Sequence, residues 1–500
     1  MAAPGVYIPG AAGIDHTMLE HDLALLVGLG LTLIHGLGIL SAIHAVAGVR
    51  TPQGAIAWAV SLVTFPYLAL PLYWVLGRDR FHGYWEALRA AGLTAADHQV
   101  AVLAERLEQA RADLLPDWAD RLGVLARLGS TPFTRDNALD LLVDGEATFA
   151  AIFAAIEGAE RYCLVQFFIV KDDTLGRRLQ ALLIRKAAAG VQVLLLYDEI
   201  GSHALPPTYI DALRMAGVLC STFHTTKGPR NRFQLNFRNH RKIVVVDGRC
   251  AFVGGHNVGD EYLGRGPLGH WRDTHLRVQG PAVLALQRVF AMDWFWARRE
   301  IPRLDWQLPP APQTADQGVR GVLIYPTGPT DALDHCSKFF HLMIAGARRR
   351  LWIASPYFVP DGPVFAALQL AALRGVDVRI LLPDKPDHRL VYLASFSFLE
   401  VADCTGIQVY RYQDGFLHQK VVLVDDEVAS VGSANLDTRS LRLNFEVTVI
   451  VVDPGFAARV QTMLEEDFRH ARRASAADLN ERGRAFQWAV RAARLFDPIL

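Results

Sequence analysis

Two stretches of this sequence place the same polar side chains at the same intervals. His240, Lys242, Asp247, Gly255 and Asn257 lie in "NHRKIVVVDGRCAFVGGHN" (239–257). His418, Lys420, Asp425, Ser433 and Asn435 lie in "LHQKVVLVDDEVASVGSAN" (417–435). Both follow H-x-K-x4-D-x6-G-[GS]-x-N without a change in spacing. An imidazole, an ammonium and a carboxamide suit a phosphate. Lysine supplies charge and donors, asparagine a neutral donor, and histidine a nucleophilic nitrogen or a proton. One copy is enough to bind a phosphate. Two facing copies offer four such donors around one phosphorus, with a histidine on each side. One imidazole can then attack in line while the other protonates the leaving oxygen. A phosphohistidine route of this kind needs no metal. The sequence shows neither H-E-x-x-H nor an acidic cluster at clear metal-ligand spacing, so no metal and no cofactor are expected.

The element that must carry this spacing is a β-hairpin. Apolar β-branched runs flank Asp247-Gly248, a two-residue turn signal. In the expected register Val246 pairs with Arg249, Lys242 with Val253 and His240 with Gly255, and in the second copy His418 pairs with Ser433. Side chains alternate along a strand and opposed residues share a face, so His240, Lys242 and Asn257 converge on one patch, as do His418, Lys420 and Asn435. The small residues opposite the histidines, Gly255 and Ser433, are expected to leave room for the ligand and so join the phosphate-binding set. Asp247 and Asp425 complete the motif among the candidate catalytic residues. They fall at the hairpin tip, where fixing the turn is favoured over direct chemistry. Carboxylate partners for the imidazoles are sought downstream. Asp273 lies 33 residues after His240, and Glu446 lies 28 after His418, each just before a strand-like run. A carboxylate on the far imidazole nitrogen fixes tautomer and orientation, as in hydrolytic triads.

Around each hairpin the chain alternates strand-like and helix-like runs. "RYCLVQFFIV" (161–170), "LGRRLQALLIRKAAAG" (175–190) and "VQVLLLYDE" (191–199) read strand, helix ending in glycine, strand. "RLWIASPYFV" (350–359), "VFAALQLAALRG" (364–375) and "VDVRILLPD" (376–384) repeat that order. This β-α-β order predicts an α/β fold of two duplicated domains, 129–301 and 319–500, each a mixed sheet flanked by helices. The proline-rich stretch 302–318 reads as the linker between them, and residues 79–128 as a helical connector on the membrane surface.

The N-terminal part is of another kind. After an acidic segment (1–22), residues 23–49 and 54–77 contain no Asp, Glu, Lys or Arg. Each exceeds the roughly 20 residues that span a bilayer core, which predicts a transmembrane helical hairpin. Trp58, Tyr67, Tyr73 and Trp74 suit headgroup-level ends, and Pro66 and Pro71 suit kinks in the second helix. Arg78 and Arg80 follow the second helix and favour a cytoplasmic large domain, with Arg50 weighing weakly the other way. His35 and His44 are expected to pack between helices. The five cysteines are widely spaced and odd in number, which predicts buried reduced thiols rather than a disulfide framework or a zinc site. Net charge is zero and there is no long basic stripe, which weighs against nucleic acid as a partner. The clusters 348–350 and 469–473 have anionic headgroups or solvent as possible neighbours. "FQWAVRAARLFDPIL" has either the membrane interface or the domain surface.

With these residues in view, the sequence resembles the phospholipase D superfamily, and within it the bacterial cardiolipin synthases. The stretches carrying the resemblance are "RNHRKIVVVDG", "GGHNVGDEYLG", "WRDTHLRVQGPAV", "SPYFVPD", "GSANLDTRSLRLNFEV" and the final "ARLFDPIL". Gln419 stands where alanine is common, at a variable position that points away from the patch. The resemblance implies that His240 is the nucleophile and His418 the general acid and later the base. It implies that Lys242, Lys420, Asn257 and Asn435 hold the phosphoryl oxygens. It also implies a reaction: two phosphatidylglycerol molecules become cardiolipin and glycerol through a phosphatidyl-histidine. Anionic lipids and the bacterial inner membrane are the implied partner and location, with the protein multi-pass and its catalytic part cytoplasmic. Hydrolysis to phosphatidic acid is the main rival, since water can attack the same intermediate. A nuclease and an inactive membrane scaffold are weaker ones.

Overall fold

A computed structural model describes residues 16–49, 52–77, 80–91, 98–224, 226, 236–310, 321–497 and 500. The chain forms two compact units, Met1–Asp79 and Arg80–Leu500.

The first unit contains α1 (His16–Gly48), α2 (Pro52–Thr64) and α3 (Pro66–Leu76). Residues Asp22–Gly48 of α1 are long and apolar enough to cross a membrane. The second apolar run is not one helix. Phe65 leaves helical geometry at φ −132° and ψ 59°, and Pro66 starts α3, where its missing N–H costs no hydrogen bond. Pro71 lies inside α3, so the expected two kinks become one break. At 13 and 11 residues, α2 and α3 are each shorter than the roughly 20 residues of a span. Ala42 and Ala45 of α1 share a small core with Leu62, Ala69 and Tyr73. A Cβ at Gly38 would fall 2.4 Å from the Leu62 carbonyl oxygen, so glycine permits the close approach of α1 and α2. Nδ1 of His44 meets the Tyr73 hydroxyl at 2.6 Å. Arg50 and Arg78 lie outside the described residues.

The second unit is built on two sheets. The first contains β1 (Ala138–Val143), β2 (Tyr162–Phe167), β3 (Gln192–Tyr197), β4 (Leu219–Thr222), β5 (Ile243–Val246), β6 (Cys250–Gly254) and β7 (Thr274–Gln279). Their order is β1-β7-β6-β5-β2-β3-β4. The second contains β8 (Gly321–Thr327), β9 (Arg350–Ala354), β10 (Asp377–Pro383), β11 (Gln408–Tyr412), β12 (Val421–Val424), β13 (Val428–Gly432), β14 (Asn444–Val452) and β15 (Ala471–Ala474). Their order is β8-β14-β13-β12-β9-β10-β11-β15. Apart from β15, each strand holds the place of the strand seven numbers before it. β2, β3 and β4 run parallel, as do β9, β10 and β11, and the hairpin strands run antiparallel to them.

Strand alternation divides the apolar residues between three cores. Leu164 and Val245 of the first sheet share one core with Leu423 and Val449 of the second. That core also takes in residues of helix α10 (Ala282–Arg298) and helix α16 (Pro454–Arg469). The other face of the first sheet packs on α7 (Asp144–Glu157), α8 (Thr174–Ala188) and α9 (Pro207–Met215). The other face of the second packs on α11 (His335–Gly346), α12 (Gly362–Leu373), α13 (Arg389–Ser395) and α14 (Leu399–Thr405). The short helices α15 (Thr438–Arg442) and α17 (Ala477–Asn480) and the amphipathic α18 (Arg484–Arg494) complete the unit.

The segment expected to be a surface connector is part of these cores. It folds as α4 (Tyr84–Ala90), α5 (His98–Gln109) and α6 (Pro116–Gly129). Phe81, Tyr84, Leu88, Leu103 and Leu107 are buried in the shared core, and Trp118, Leu122 and Leu125 under the second sheet. Of the linker, residues 302–310 are held by an Asp305–Arg161 ion pair at 2.6 Å, and 311–318 lie outside the described residues. Cys163, Cys220, Cys250 and Cys336 are buried free thiols, but Cys404 is exposed.

Candidate active site

The two hairpins differ from the expected register by one residue. Val246 pairs with Cys250 and Val424 with Val428, so each loop has three residues rather than two. Asp247, Gly248 and Asp425 take positive φ at 54°, 68° and 50°. The reason lies in the aspartates. Asp247 accepts backbone N–H groups from Glu160, Arg161 and Tyr162 at 2.8–2.9 Å. Asp425 does the same for Arg348, Arg349 and Arg350 at 2.8–3.2 Å. Each loop is thereby tied to the start of β2 or β9, and these carboxylates face backbone amides at the hairpin tip. His240, Lys242, His418 and Lys420 lie just before β5 and β12 rather than within them.

What positions the histidines is a pair of short strand contacts between the halves. Arg238–Asn239 runs parallel to Asn444–Phe445, and Phe416–Leu417 runs parallel to Trp271–Arg272. The N–H of His240 continues the first contact to the Phe445 carbonyl at 2.9 Å, and the N–H of His418 continues the second to Arg272 at 2.8 Å. Each imidazole therefore meets the carboxylate of the opposite half. Nδ1 of His240 lies 3.0–3.1 Å from the two oxygens of Glu446. Nδ1 of His418 lies 2.6 Å from Oδ2 of Asp273. The spacings counted within each half pointed to these two carboxylates, but the pairing is crossed.

The small residues of the motif serve the carboxylates, not an open space for a ligand. A Cβ at Gly255 would fall 2.0 Å from Oδ1 of Asp273. Ser433 fills the equivalent place, and its hydroxyl donates to Glu446 at 2.5 Å. Glu446 also accepts from Ser440 at 2.8 Å and Asn444 at 3.1 Å. Asp273 has a plainer setting, with the Thr274 N–H at 2.7 Å.

The remaining motif residues surround the same place. Lys242 donates to the carbonyl of His240 at 2.6 Å, and Lys420 to the carbonyl of His418. Nζ of Lys420 is also 2.9 Å from Nδ1 of His418. That nitrogen cannot accept from Lys420 while donating to Asp273, and the shorter carboxylate contact favours the donor role. Asn257 accepts from Ile169 N–H at 3.1 Å and donates to the Tyr262 hydroxyl at 3.0 Å, which leaves one amide hydrogen. Asn435 lies 3.4 Å from Asp437 through its Nδ2. Phe168 stands edge-on to His240 with ring centres 4.9 Å apart. Trp271 and Tyr262 flank His418 at 5.2 and 5.7 Å.

Burial sets the resting protonation. Desolvation lowers His240 to about 4 against the pull of Glu446. Burial, with Lys420 and Lys242 beside it, holds His418 well below its usual value. Desolvation also drives Lys242 well below the ordinary lysine range and Lys420 to about 8. Burial alone would raise Glu446, but His240 and Lys242 outweigh it and keep the carboxyl low. Burial thus pushes all four basic groups toward lower proton affinity, and an entering anion opposes this.

Several supporting residues escaped the sequence reading. Arg241, between His240 and Lys242, turns away and pairs with Asp293 of α10 at 2.7 Å while its Nε holds the Glu446 carbonyl at 3.0 Å. Asp293 also accepts from Tyr84, Gln166 and Asn239 at 2.8 Å each. In the other half Gln419 is buried and donates to Asp467 of α16 at 2.7 Å. Asp467 pairs with Arg272 at 2.6 Å, and Arg272 holds the Asp273 carbonyl at 2.8 Å. A lone aspartate in the apolar "FAMDWFW" of α10 was an available signal, because a buried charge needs a partner; Asp467, in "MLEEDF" beside two glutamates, offered none. His256 and His275 are also fully buried, with ring centres 5.4 Å apart. Among the described residues, neither ring nitrogen of either histidine finds a hydrogen-bond partner.

Comparison with known proteins bears on this geometry. The family described as "Cardiolipin synthase, PLD-like domain" matches residues 152–294 and 341–468. Cardiolipin synthase A of Pseudomonas entomophila (strain L48) is 52% identical over 477 residues, covering 94% of this chain and 97% of that protein. Cardiolipin synthase A of Pseudomonas aeruginosa (strain LESB58) is 53% identical over 481 residues, covering 95% and 96%. Among solved structures, phosphatidylserine synthase of Haemophilus influenzae Rd KW20 aligns with a TM-score of 0.57 at 16% identity. It covers 76% of this chain and all of that one, a likeness of fold alone.

Proposed function

From the premise that this chain belongs to the cardiolipin synthase family of phospholipase D-like proteins, we propose how its own residues carry out the transfer. The protein is a phosphatidyltransferase of phospholipid biosynthesis that makes cardiolipin. In the proposed reaction Nε2 of His240 attacks the phosphorus of one phosphatidylglycerol. Glu446 holds the Nδ1 proton, so the lone pair sits on Nε2. The leaving glycerol oxygen takes a proton from His418, whose imidazolium form is stabilised by Asp273. Burial holds the proton affinity of His418 down, and the phosphodiester anion raises it on binding. The resulting phosphatidyl-histidine is attacked by a glycerol hydroxyl of a second phosphatidylglycerol, which gives its proton to His418 and frees His240. Lys242, Lys420, Asn257 and Asn435 hold the phosphoryl oxygens. Asp247 and Asp425 hold the hairpins to β2 and β9 and take no proton.

The observation that carries this reading is the crossed pair of imidazole–carboxylate contacts, which gives one site two differently supported histidines. The matching strand orders of the two sheets support an origin by duplication. The apolar α1, with the charge-free run α2–α3 packed on it, supports a membrane hairpin in a bacterial inner membrane, and Arg78 and Arg80 after that run support the second unit on the cytoplasmic side. The test is to supply the purified protein with phosphatidylglycerol and analyse the products. Cardiolipin with an equal amount of glycerol is expected, and loss of both in His240→Ala and His418→Ala variants that remain folded. Phosphatidic acid alone would mean that water, not a lipid hydroxyl, takes the intermediate.

A further inference from the structure

Helix α18 carries two apolar faces. Inward, Val490 and Ala493 are buried, and Phe486 stands edge-on to Phe396 with ring centres 5.3 Å apart. Outward, Trp488 is 65% exposed, Leu495 two turns on is 80% exposed, and Phe496 is 45% exposed. Arg484 and Arg491, again two turns apart, are exposed beside them, and the Arg491 guanidinium lies 5.1 Å from the Trp488 ring centre. No acidic residue lies within the helix. Most members of the other basic clusters have acidic partners: Arg348 with Asp117, Arg350 with Asp426, His470 with Glu466, and Arg472 with Asp384 and Asp478.

The helix is joined to a segment at the edge of the active site, where the charge of Asp387 acts on Lys420. It packs on α13, whose start follows Asp387, and Asp387 accepts from the Tyr357 hydroxyl at 2.5 Å. Lys385, Arg389 and Leu390 are exposed on this rim. Beyond α18 the Leu500 carbonyl takes the N–H of Arg439 at 2.7 Å, next to Ser440, which holds Glu446.

We propose that α18 lies in the headgroup layer of an anionic bilayer, with Trp488, Leu495 and Phe496 in the acyl boundary and Arg484 and Arg491 on lipid phosphates. An apolar ridge flanked by arginines that have no ion pair among the described residues suits that surface, and leaving large apolar side chains in water costs about 1.5–3 kcal/mol each. The contact also faces the rim of the site toward the leaflet that supplies its lipids. That consequence rests on the lipid-transfer reading, whereas the contact itself does not.

Hydrogen exchange of the full-length protein in single-copy nanodiscs tests this. Amides of 484–496 should exchange at least several-fold more slowly in phosphatidylglycerol discs than in phosphatidylcholine discs. Trp488→Ser/Leu495→Ser and Arg484→Glu/Arg491→Glu should each remove the difference. Equal rates for the unmodified protein in the two lipids overturn the proposal without reference to any variant. So does a difference that survives in both variants. Slowing seen only with two chains per disc assigns the face to a second copy and also overturns it. Cardiolipin formation followed in the same discs separates failure of the chemistry from failure of the contact.

Discussion

Nδ1 of His240 lies 3.0 Å from Oε2 of Glu446, a residue 206 positions further along the chain. The reciprocal contact joins His418 to Asp273, 145 positions before it. Neither half contains both a motif histidine and its carboxylate partner, so the site exists only when both sheets are assembled on their shared core.

Glu446→Gln keeps the shape of the side chain and removes the charge that fixes the His240 tautomer. The kcat for cardiolipin formation should fall about 10^3- to 10^4-fold with KM little changed, the scale seen when a triad carboxylate is neutralised. Asp273→Asn should cost a similar factor. The crossing itself is read by nitrogen-15 NMR of labelled histidines: Glu446→Gln should shift the ring signals of His240, and Asp273→Asn those of His418. The reverse assignment would sink the crossed pairing.

Gly255 and Ser433 occupy equivalent motif positions but are not interchangeable. A side chain at 255 meets Oδ1 of Asp273, whereas the Ser433 hydroxyl donates to Glu446. Gly255→Ser should therefore displace Asp273 and lower kcat at least about 100-fold, the scale of a misplaced reacting group, while circular dichroism stays unchanged. Ser433→Gly removes one hydrogen bond to a charged acceptor and should cost roughly 10-fold. Full activity in Gly255→Ser would show that Asp273 is free to move aside.

Much of this was legible because spacing encodes geometry. Two identical polar patterns, the β-α-β runs and the candidate carboxylates Asp273 and Glu446 all stand in the sequence. The hairpin register was not. A two-residue loop at Asp247-Gly248 is the local preference, and it loses to three backbone N–H groups from residues 160–162, which local reading does not see. The crossing depends on a contact between Asn239 and Phe445 that no local pattern marks. Gln419 was legible only as a side chain turned away from the patch and Arg241 not at all, because their partners Asp467 and Asp293 lie on helices about 50 residues further on. The break at Phe65–Pro66 was visible as a proline but not as a choice between kink and break.

Asp247 and Asp425 provide a separation of stability from chemistry. Asp247→Asn weakens three charge-assisted bonds to backbone N–H groups, and Asp425→Asn does the same at β9. Each variant should lose about 2–4 kcal/mol of stability, within the range for bonds to a charged acceptor. The kcat of the folded fraction should stay within a few-fold of the unmodified protein. Thermal unfolding in detergent together with activity below the transition checks both. A thousand-fold loss of kcat in a fully folded Asp247→Asn protein would return the aspartate to the reaction.

Buried histidines set the response to acid. Desolvation lowers His240 to about 4 and His256 and His275 to about 3, whereas in the unfolded chain each titrates near 6.5. Between those values the unfolded state binds protons that the folded state refuses. Stability therefore falls as pH drops below about 6.5 and keeps falling toward the folded values. At pH 5 each of the three contributes up to about 2 kcal/mol of this loss. Glu446 acts in the same direction at lower pH, because its lowered carboxyl gives stability that disappears on protonation. His256 and His275 make no ring hydrogen bonds among the described residues, so His256→Leu/His275→Leu gives up packing and two suppressed titrations. The midpoint of thermal unfolding should fall between pH 7 and pH 5 in the unmodified protein and fall much less in the double variant. Parallel curves would mean that these two rings are protonated as readily in the folded protein as in the unfolded chain.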